Sequence, residues 1–445
     1  MDIYGPKLDA IISVMRAKAL AQAKAADAEI KAGKIRGPLH GIPIVLKDNI
    51  DTAGTRTTAA SAVYEDRIPT EDATVVTRLK AAGAVILAKA NLHEFAMGIG
   101  DASYWGPARN PYALDRNTGG SSSGSGAAIA AELCYGALGT NTGGSVRIPS
   151  SFCGIVGLMP TYGLVPIRGI VPLIASLDHC GPMTRTVDDA ALMLDVLAGY
   201  DRLDFTSVEH PKESYFTQLQ QPVSGIRLGV ADFFFDQLDP EVDAAVKTAI
   251  NVLSGLTQGP VEATLPPSTA VGIGDLSGEI YAYHQELYAR GAARYTLPLR
   301  RRLEALSHLD NNGAAYVRAR QALEYMRRTI DDAFTNFDVI VNPTIRVLPP
   351  KLIDMLRSQR DPSIVTSAAE VSTNTTPYDM YGIPAISVPC GFSQSGLPIG
   401  LTIAGPRFSE GKIMALARAY EQATDWHKRR PVLTPDMPVP NVTPA

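Results

Sequence analysis

Two clusters of glycine and serine, separated by one short apolar segment, constrain this sequence more than any other feature. The first cluster is GGSSSGS at residues 119–125, and the second is TGGS at residues 142–145. Residues 127–133 between them are mostly small and apolar, which predicts a helix that neighbouring backbone can approach closely. The stretch from Gly119 to Ser151 is therefore expected to form a buried helix with a serine-bearing loop at each end.

Two other interpretations of these clusters compete with that prediction. Flexible linkers are commonly rich in glycine and serine, but the VRIP segment at 146–149 and the apolar helix argue for an interior position. Residues 120–124 also match the G-x-S-x-G nucleophile elbow, which needs a buried strand directly before it. The preceding residues 105–118 are polar and interrupted by prolines, so the elbow is disfavoured.

Several motifs taken together resemble the amidase signature family of serine hydrolases. They are GGSSSGS, TGGSVR, LKDN at 46–49, SFCGIVGLMPT at 151–161, SLDHCGPMTR at 176–185 and GIPAISVP at 382–389. The resemblance covers most of the chain from Gly37 onward, and the spacing of Ser121 and Ser145 fits the family pattern. It implies an α/β/α sandwich, in which helices cover a central, mixed and twisted sheet.

The resemblance assigns three catalytic residues. Ser145 would be the nucleophile, Ser121 the bridging hydroxyl, and Lys47 the base at the end of a short apolar strand. A serine needs a base to take its proton, and a lysine can act as that base only when it is neutral. No sequence cue marks a His and Asp pair for this task, whereas a Ser-Ser-Lys relay is a variant of the same triad logic.

The same resemblance places further residues around the substrate. The oxyanion hole would consist of the backbone N–H groups of Thr142, Gly143, Gly144 and Ser145, and the substrate-binding residues would be Met97, Gly98 and Gly120. Glycine permits the unusual dihedral angles that turn several N–H groups toward one point. His93 is assigned no catalytic role.

One position departs from the family pattern. Many relatives carry Asp where this chain has Asn141, so a local negative charge is lost although the amide can still form hydrogen bonds. Arg147 is expected to support the loop through hydrogen bonds rather than to bind the substrate.

Composition excludes several other classes of protein. The net charge of −4 gives no sign of a basic surface for nucleic acid. The four cysteines and seven histidines are scattered without metal-ligand spacing, so no metal and no cofactor are expected. Because no apolar run approaches the ~18 residues of a membrane span and no signal peptide is recognisable, the expected location is cytoplasmic and away from membranes.

We expect one domain over residues 1–445. Its catalytic core would span residues 37–200, a mainly helical and tyrosine-rich region would span residues 203–335, and residues 336–445 would return to the core sheet. The helical region is interpreted either as a solvated layer with aromatic packing or as a partial lid over the substrate.

Two further segments carry local predictions. Residues 7–31 are expected to form one long amphipathic helix, and relatives usually carry additional helical sequence before this point. Residues 348–367 are expected to form a mobile loop, which begins at the proline pair 349–350.

The leading functional hypothesis is an amidohydrolase that cleaves the C–N bond of an uncharged carboxylic amide, with anilides, esters or carbamates as further substrates. Its partner would be a small-molecule amide, without nucleic acid or membrane, and a homo-oligomer is compatible with the sequence. The alternative is the glutaminase (A) subunit of a tRNA-dependent amidotransferase, which predicts a protein partner and an ammonia channel. The divergent region after residue 200 favours the first. A catalytically inactive binding protein is disfavoured because Lys47, Ser121 and Ser145 are all present.

The assignment of the nucleophile can be tested by covalent labelling. A fluorophosphonate should add one adduct to the native protein and none to Ser145→Ala, because only an activated serine attacks the phosphorus. Intact-mass spectrometry measures the adduct. Labelling that survives Ser145→Ala but disappears in Ser122→Ala would support the nucleophile elbow instead.

Overall fold

The computed structural model describes residues 1–271, 273–308, 313–361, 363 and 370–442. Within these residues, eleven strands form one mixed sheet and two short strands form a separate hairpin. The strands are β1 (Ile11–Val14), β2 (Pro43–Lys47), β3 (Val85–Ala90), β4 (Arg109–Asn110), β5 (Ala113–Asn117), β6 (Gly136–Asn141), β7 (Val156–Met159), β8 (His179–Thr184), β9 (Leu228–Val230), β10 (Pro260–Glu262), β11 (Val339–Pro343), β12 (Ala385–Phe392) and β13 (Pro398–Ala404).

Fifteen α-helices lie among the described residues. They are α1 (Gly5–Leu8), α2 (Arg16–Lys31), α3 (Thr74–Ala81), α4 (Ser123–Ala130), α5 (Arg147–Phe152), α6 (Val187–Leu197), α7 (Tyr215–Gln218), α8 (Pro240–Leu256), α9 (Ile273–Leu276), α10 (Gly278–Gly291), α11 (Leu297–Ser307), α12 (Gly313–Thr329), α13 (Leu352–Arg360), α14 (Thr376–Tyr381) and α15 (Glu410–Ala423). No helix of this part of the chain is long and apolar enough to cross a membrane.

The strands of the large sheet follow the order β1-β3-β2-β6-β8-β7-β12-β13-β11-β9-β10. Strand β2 pairs in parallel with β3 and β6, and β9 pairs in parallel with β10 and β11. The other pairs are antiparallel. Strand β2, which ends at Lys47, therefore lies between two neighbours in the interior of the sheet.

Helices cover both faces of the sheet. Leu46 and Leu138 pack into a core with residues of α3, α6, α8 and α15, whereas Val45 and Ala137 point to the opposite face and pack against Ile129 of α4. Neighbouring residues of one strand thus bury side chains on opposite sides, and strands β6 and β8 are buried along their whole length. The predicted α/β/α sandwich with a mixed central sheet is confirmed.

The N-terminal prediction of one long helix is wrong. The segment forms the short helix α1, then strand β1, and only then α2. Ile11 and Ile12 have helical spacing with later residues, but β1 pairs antiparallel with β3 and covers its edge. An open strand edge offers unpaired backbone groups, and this long-range pairing overrides the local helical pattern.

A second difference concerns the loop predicted for residues 348–367. Residues 352–360 form helix α13, which buries Leu352 and Met355. Residues 362 and 364–367 lie outside the described residues. Two apolar side chains three positions apart bury one face of this helix. In the sequence this short apolar pattern is a weaker signal than the proline pair directly before it, which is typical of a loop. The sequence therefore predicted a loop where a helix forms.

Helices α10, α11 and α12 form a layer that packs on the core through a second apolar cluster, and α10 and α12 carry tyrosines. Phe95 lies at the centre of this contact, with its ring centroid 4.5 Å from that of His284 and 5.7 Å from that of Tyr295. The hydroxyl groups of Tyr64 in the core and Tyr283 in the helical layer lie 2.9 Å apart. The helical layer therefore contacts the segment that leads to Met97.

Close packing of β7 against β8 predicts that Gly181 tolerates no side chain. A Cβ atom at Gly181 would lie 2.0 Å from the carbonyl oxygen of Leu158, whereas a Cβ at Gly255 in α8 would meet nothing within 4 Å. Gly181→Ala should lower the free energy of unfolding by at least about 1–3 kcal/mol. Gly255→Ala is the control and should be neutral or stabilising by up to about 1 kcal/mol. Urea unfolding measures both, and equal stability of the two variants would contradict the packing described here.

Candidate active site

Lys47 lies at the carboxyl end of β2 and is completely buried. Its Nζ atom lies 2.8 Å from Oγ of Ser121, 2.7 Å from Oγ1 of Thr140 and 3.2 Å from the carbonyl oxygen of Thr140. Lys89, also completely buried, differs because its Nζ atom lies 3.4 Å from a carboxylate oxygen of Asp48. Lys47 is thus surrounded by hydroxyl and carbonyl groups instead of by a paired carboxylate.

This environment changes the charge state of Lys47. Burial lowers the pKa of Lys47 well below its usual value, and the opposing effects of Asp178 and Cys180 do not restore it. Burial also raises the pKa of the Asp178 carboxyl group, against the hydrogen bonds it accepts from Thr142, Leu173 and Ile174. A buried amine that loses its proton easily has the property that a general base requires.

Ser121 lies in the loop before α4 and follows a cis peptide bond after Gly120. The backbone of Gly100 packs so closely on this loop that a Cβ atom at Gly120 would lie 2.3 Å from the Gly100 nitrogen. The carbonyl oxygen of Ser121 accepts a hydrogen bond from the backbone N–H of His93 at 3.1 Å. The first glycine and serine cluster is therefore buried and is not a linker, with residues 119–122 in a loop and residues 123–125 in α4.

Ser145 lies in the loop between β6 and α5 and is 9% exposed. Its carbonyl oxygen accepts a hydrogen bond from the N–H of Ser122 at 3.3 Å, which joins the two serine-bearing loops. Gly144 has a φ of 129°, and a Cβ atom there would lie 2.2 Å from Oγ1 of Thr375. Thr375 in turn donates a hydrogen bond to the carbonyl oxygen of Gly143 at 2.7 Å.

The backbone N–H groups of residues 142–145 donate none of the hydrogen bonds found among the described residues. The next N–H group, that of Val146, is already bound to Oδ1 of Asn141 at 3.1 Å. Buried backbone donors are rarely left without a partner. Four N–H groups beside Ser145 that are free of partners in the described part of the chain are what the predicted oxyanion hole requires.

The predicted substrate-binding residues lie next to the first serine loop. Met97 is 5% exposed, and a Cβ atom at Gly98 would meet the ring of His93 at 2.4 Å. The segment that carries both residues continues to Gly100, which packs against Gly119 and Gly120. His93, which has no predicted catalytic role, holds this segment because its Nδ1 accepts a hydrogen bond from the Gly100 N–H at 3.1 Å.

A layer of buried charge supports the Ser145 loop from behind. Nη2 of Arg147 lies 2.5 Å from Oδ2 of Asp379, and both side chains are fully buried. The side-chain amide of Asn141 donates to the other carboxylate oxygen of Asp379, and Nη1 of Arg147 donates to the carbonyl oxygen of Thr375 at 3.0 Å. Burial raises the pKa of Asp379 to about 6, although the charge of Arg147 opposes this rise. Asp379 thus places a carboxylate in contact with both Asn141 and Arg147.

Three residues of the site are not identified as functional residues by the sequence. Thr140 contacts Lys47, Asp178 accepts a hydrogen bond from Thr142 Oγ1 at 2.6 Å, and Asp379 pairs with Arg147. Thr140 could have been found, because it lies near the end of the buried strand that leads to Ser145. Asp379 is far from Arg147 in the chain, so no local pattern connects them.

Metal ligands do not cluster in this region. No group of three or more His, Cys, Asp or Glu side chains in the described part of the chain could hold a metal ion. The candidate site consists of hydroxyl, amine and backbone N–H groups, which suit acyl transfer to a serine.

Comparison with known proteins assigns the chain to a family. A family model described as Amidase matches residues 1–414. The chain belongs to the amidase signature family. As a member it is a hydrolase of C–N bonds, and the resemblance inferred from the sequence motifs is confirmed.

Three relatives illustrate the range of similar proteins. The A subunit of glutamyl-tRNA(Gln) amidotransferase from Moorella thermoacetica is 39% identical over 453 residues, which cover 96% of this chain and 92% of the relative. The crystal structure of the corresponding Thermotoga maritima protein has a TM-score of 0.74 at 32% identity, covering 99% of this chain and 92% of that chain. A structure of 6-aminohexanoate cyclic dimer hydrolase with substrate has a TM-score of 0.85 at 27% identity, covering 97% and 92%.

These relatives correct one expectation. The prediction that the partner is a small-molecule amide alone, with no nucleic acid, is wrong, because relatives that match almost the whole chain are named as subunits of an amidotransferase for glutamyl-tRNA. A net charge of −4 does not by itself exclude a role in such a complex, because the basic surface of a complex can lie on another protein.

The role of Lys47 generates a prediction about pH. A protonated lysine cannot accept a proton, so kcat/KM for an amide should rise with pH through the pKa of Lys47 and then level off. Because burial lowers the pKa of Lys47, the plateau should be reached well below pH ~10.4, the ordinary pKa of lysine. Lys47→Arg and Lys47→Ala should both lose about 10²–10⁴-fold in rate, since guanidinium stays protonated. Steady-state kinetics on folded variants measure this, and a Lys47→Arg enzyme with most of its amidase activity would exclude Lys47 as the base.

The buried layer of charge predicts that the carboxylate can be moved from position 379 to position 141. Asp379→Asn removes the carboxylate from Arg147 and should destabilise the protein by about 3–5 kcal/mol, while Asn141→Asp sets a second carboxylate against Asp379. The double variant Asn141→Asp/Asp379→Asn keeps one carboxylate in the layer and should recover much of the lost stability and kcat. Urea unfolding and kinetics of the four proteins give a coupling free energy, expected at about 0.5–3 kcal/mol. Simple additivity of the two single variants would contradict this prediction.

Proposed function

We propose that this chain is the glutaminase component of a tRNA-dependent amidotransferase. The observation that carries the proposal is the match of 36–41% identity to the A subunits of such enzymes over 96–98% of this chain. The chain also covers 92% of the Moorella and Roseiflexus proteins, so the similarity includes the helical region after residue 200. Among the two functions considered from the sequence, the alternative is therefore the better supported.

In the proposed reaction, Oγ of Ser145 attacks the side-chain carbonyl carbon of glutamine. The proton of Ser145 passes to Ser121, and the proton of Ser121 passes to neutral Lys47. The distance of 2.8 Å between Nζ of Lys47 and Oγ of Ser121 supports the second transfer. When the C–N bond breaks, the same relay returns a proton to the nitrogen, which leaves as ammonia.

A water molecule then hydrolyses the acyl-enzyme through the same series of proton transfers. Lys47 takes its proton through Ser121, the hydroxide attacks the ester carbon of Ser145, and glutamate leaves while Ser145 regains its proton. The N–H groups of residues 142–145, which have no partner among the described residues, support a role in holding the oxyanion in both halves of the reaction. The other proteins of the complex would use the released ammonia to amidate glutamate on its tRNA.

Residues 203–335 are proposed to shape the substrate pocket within a single domain of 445 residues. The contact of Phe95 with His284 supports this role, because Phe95 precedes Met97 by two residues. Oε2 of the buried Glu94 accepts a hydrogen bond from the backbone N–H of Thr296 at 2.9 Å. The helical layer is thereby attached to the chain segment that carries Met97 and Gly98.

The proposal can be tested with purified chain, alone and mixed with the other subunits of a bacterial glutamyl-tRNA(Gln) amidotransferase. Glutamate and ammonia are measured with glutamine as the substrate, in the presence and absence of glutamyl-tRNA and ATP. We expect glutamine hydrolysis that increases with the partner proteins and disappears in Ser145→Ala. Ser395→Ala, in the turn between β12 and β13, is a matched serine control that should keep full activity.

Other acyl compounds separate this proposal from its competitor. A simple aryl amide, an anilide and an aryl carbamate should react more slowly than glutamine. Faster turnover of any of them than of glutamine, without stimulation by the partner proteins, would overturn the proposed function while leaving the catalytic roles of Lys47, Ser121 and Ser145 intact.

A further inference from the structure

A cleft that contains none of the candidate catalytic residues lies beside Asp379, whose backbone carbonyl accepts a hydrogen bond from the lining residue Arg327. It has a volume of about 540 Å³ and is formed by α12, the segment after α6, and the residues that flank α14 and β13. The residues that line it are Tyr162, Phe205, Thr206, Ser207, Val208, Arg320, Glu324, Arg327, Arg328, Gly382 and Arg407. None of the catalytic residues contributes to it.

Positive charge dominates this cleft, which we call the arginine cleft. Four of its lining residues are arginines, and one, Glu324, is acidic. Oε1 of Glu324 lies 3.5 Å from a nitrogen of Arg320 and 4.0 Å from a nitrogen of Arg327, so one carboxylate serves two guanidinium groups. The net charge of the cleft is therefore strongly positive in a protein whose overall charge is −4.

Arg327 forms the floor of the arginine cleft and is 5% exposed. Its guanidinium group lies 3.8 Å from the ring centroid of Tyr162. Nη2 donates to the carbonyl oxygens of Ser176 at 2.8 Å and Asp379 at 3.3 Å. Nη1 is buried and has no hydrogen-bond partner among the described residues.

Arg320 repeats this feature, because its Nη1 is also buried and has no hydrogen-bond partner in the described part of the chain. Leaving a buried donor without a partner costs about 1–3 kcal/mol, and more when the donor is charged. Among the residues that line the cleft, only Glu324 carries a carboxylate, so the positive charge of the four guanidinium groups is incompletely compensated there. An oxyanion bound in the cleft would supply the missing negative charge.

We propose that the arginine cleft binds a phosphate-type oxyanion, either as free phosphate or as the phosphate group of a nucleotide. Guanidinium groups bind such anions with paired N–H donors, and the arrangement of four arginines around one cavity suits a tetrahedral dianion. Phe205, which is 88% exposed, stands at the cleft and offers a ring on which a base can stack. This proposal does not depend on the glutaminase activity.

Binding is measured by isothermal titration calorimetry with inorganic phosphate, in a buffer whose ionic strength is kept constant with sodium chloride. Arg328→Gln and Arg407→Gln should each weaken phosphate binding by about tenfold or more, as expected for loss of one charge-assisted contact. Arg318→Gln is the matched control, because Arg318 is an exposed arginine of the same helix outside the cleft. Near-ultraviolet circular dichroism confirms that each variant is folded.

Adenosine 5′-monophosphate distinguishes the two sources of the anion. Tighter binding of the nucleotide than of phosphate, with the difference lost in Phe205→Ala, identifies a nucleotide phosphate. Equal binding of the two, unchanged in Phe205→Ala, identifies free phosphate, and both results support the arginine cleft as an oxyanion site. The proposal is overturned if phosphate binds no more strongly than chloride, or if Arg318→Gln weakens binding as much as Arg328→Gln does.

Discussion

Lys47 is buried with no paired carboxylate among the described residues, and this is the constraint on which the rest of the site depends. A charged amine is costly to bury, so this position favours the neutral form that can accept a proton. That environment exists because β2 lies inside the sheet between β3 and β6, with helices on both faces. The hydroxyl groups of Thr140 and Ser121 orient the amine without adding negative charge. The large sheet is therefore what makes a lysine suitable as a base here.

Close packing holds the two serine-bearing loops in fixed positions relative to Lys47. Gly120 packs on Gly100, and Gly144 packs on Thr375, at distances that exclude any side chain. The N–H groups of residues 142–145 have no partners among the described residues. Glycine is required at positions 120 and 144 because other parts of the chain approach so closely that no side chain fits.

The buried charges behind the Ser145 loop join distant parts of the chain. The carboxylate of Asp379 binds Arg147 in the Ser145 loop, while its backbone carbonyl accepts a hydrogen bond from Arg327 of α12. Asp379 thus contacts both Arg147, which follows Ser145 by two residues, and Arg327 of the arginine cleft. This arrangement gives the helical layer a direct physical connection to the site, in addition to the contact through Phe95.

The sequence by itself determined the family, the fold class and the three residues proposed for catalysis, because Lys47, Ser121 and Ser145 lie in short motifs whose glycines and serines have local structural requirements. It did not reveal the N-terminal edge strand, since the pairing of β1 with β3 depends on contacts between residues far apart in the chain. For the same reason only the tertiary structure brought Asp379 to Arg147 and four arginines to one cleft. Local sequence patterns predict local structure. The pairing of buried charges depends on which distant side chains the fold brings together, so local patterns do not predict it.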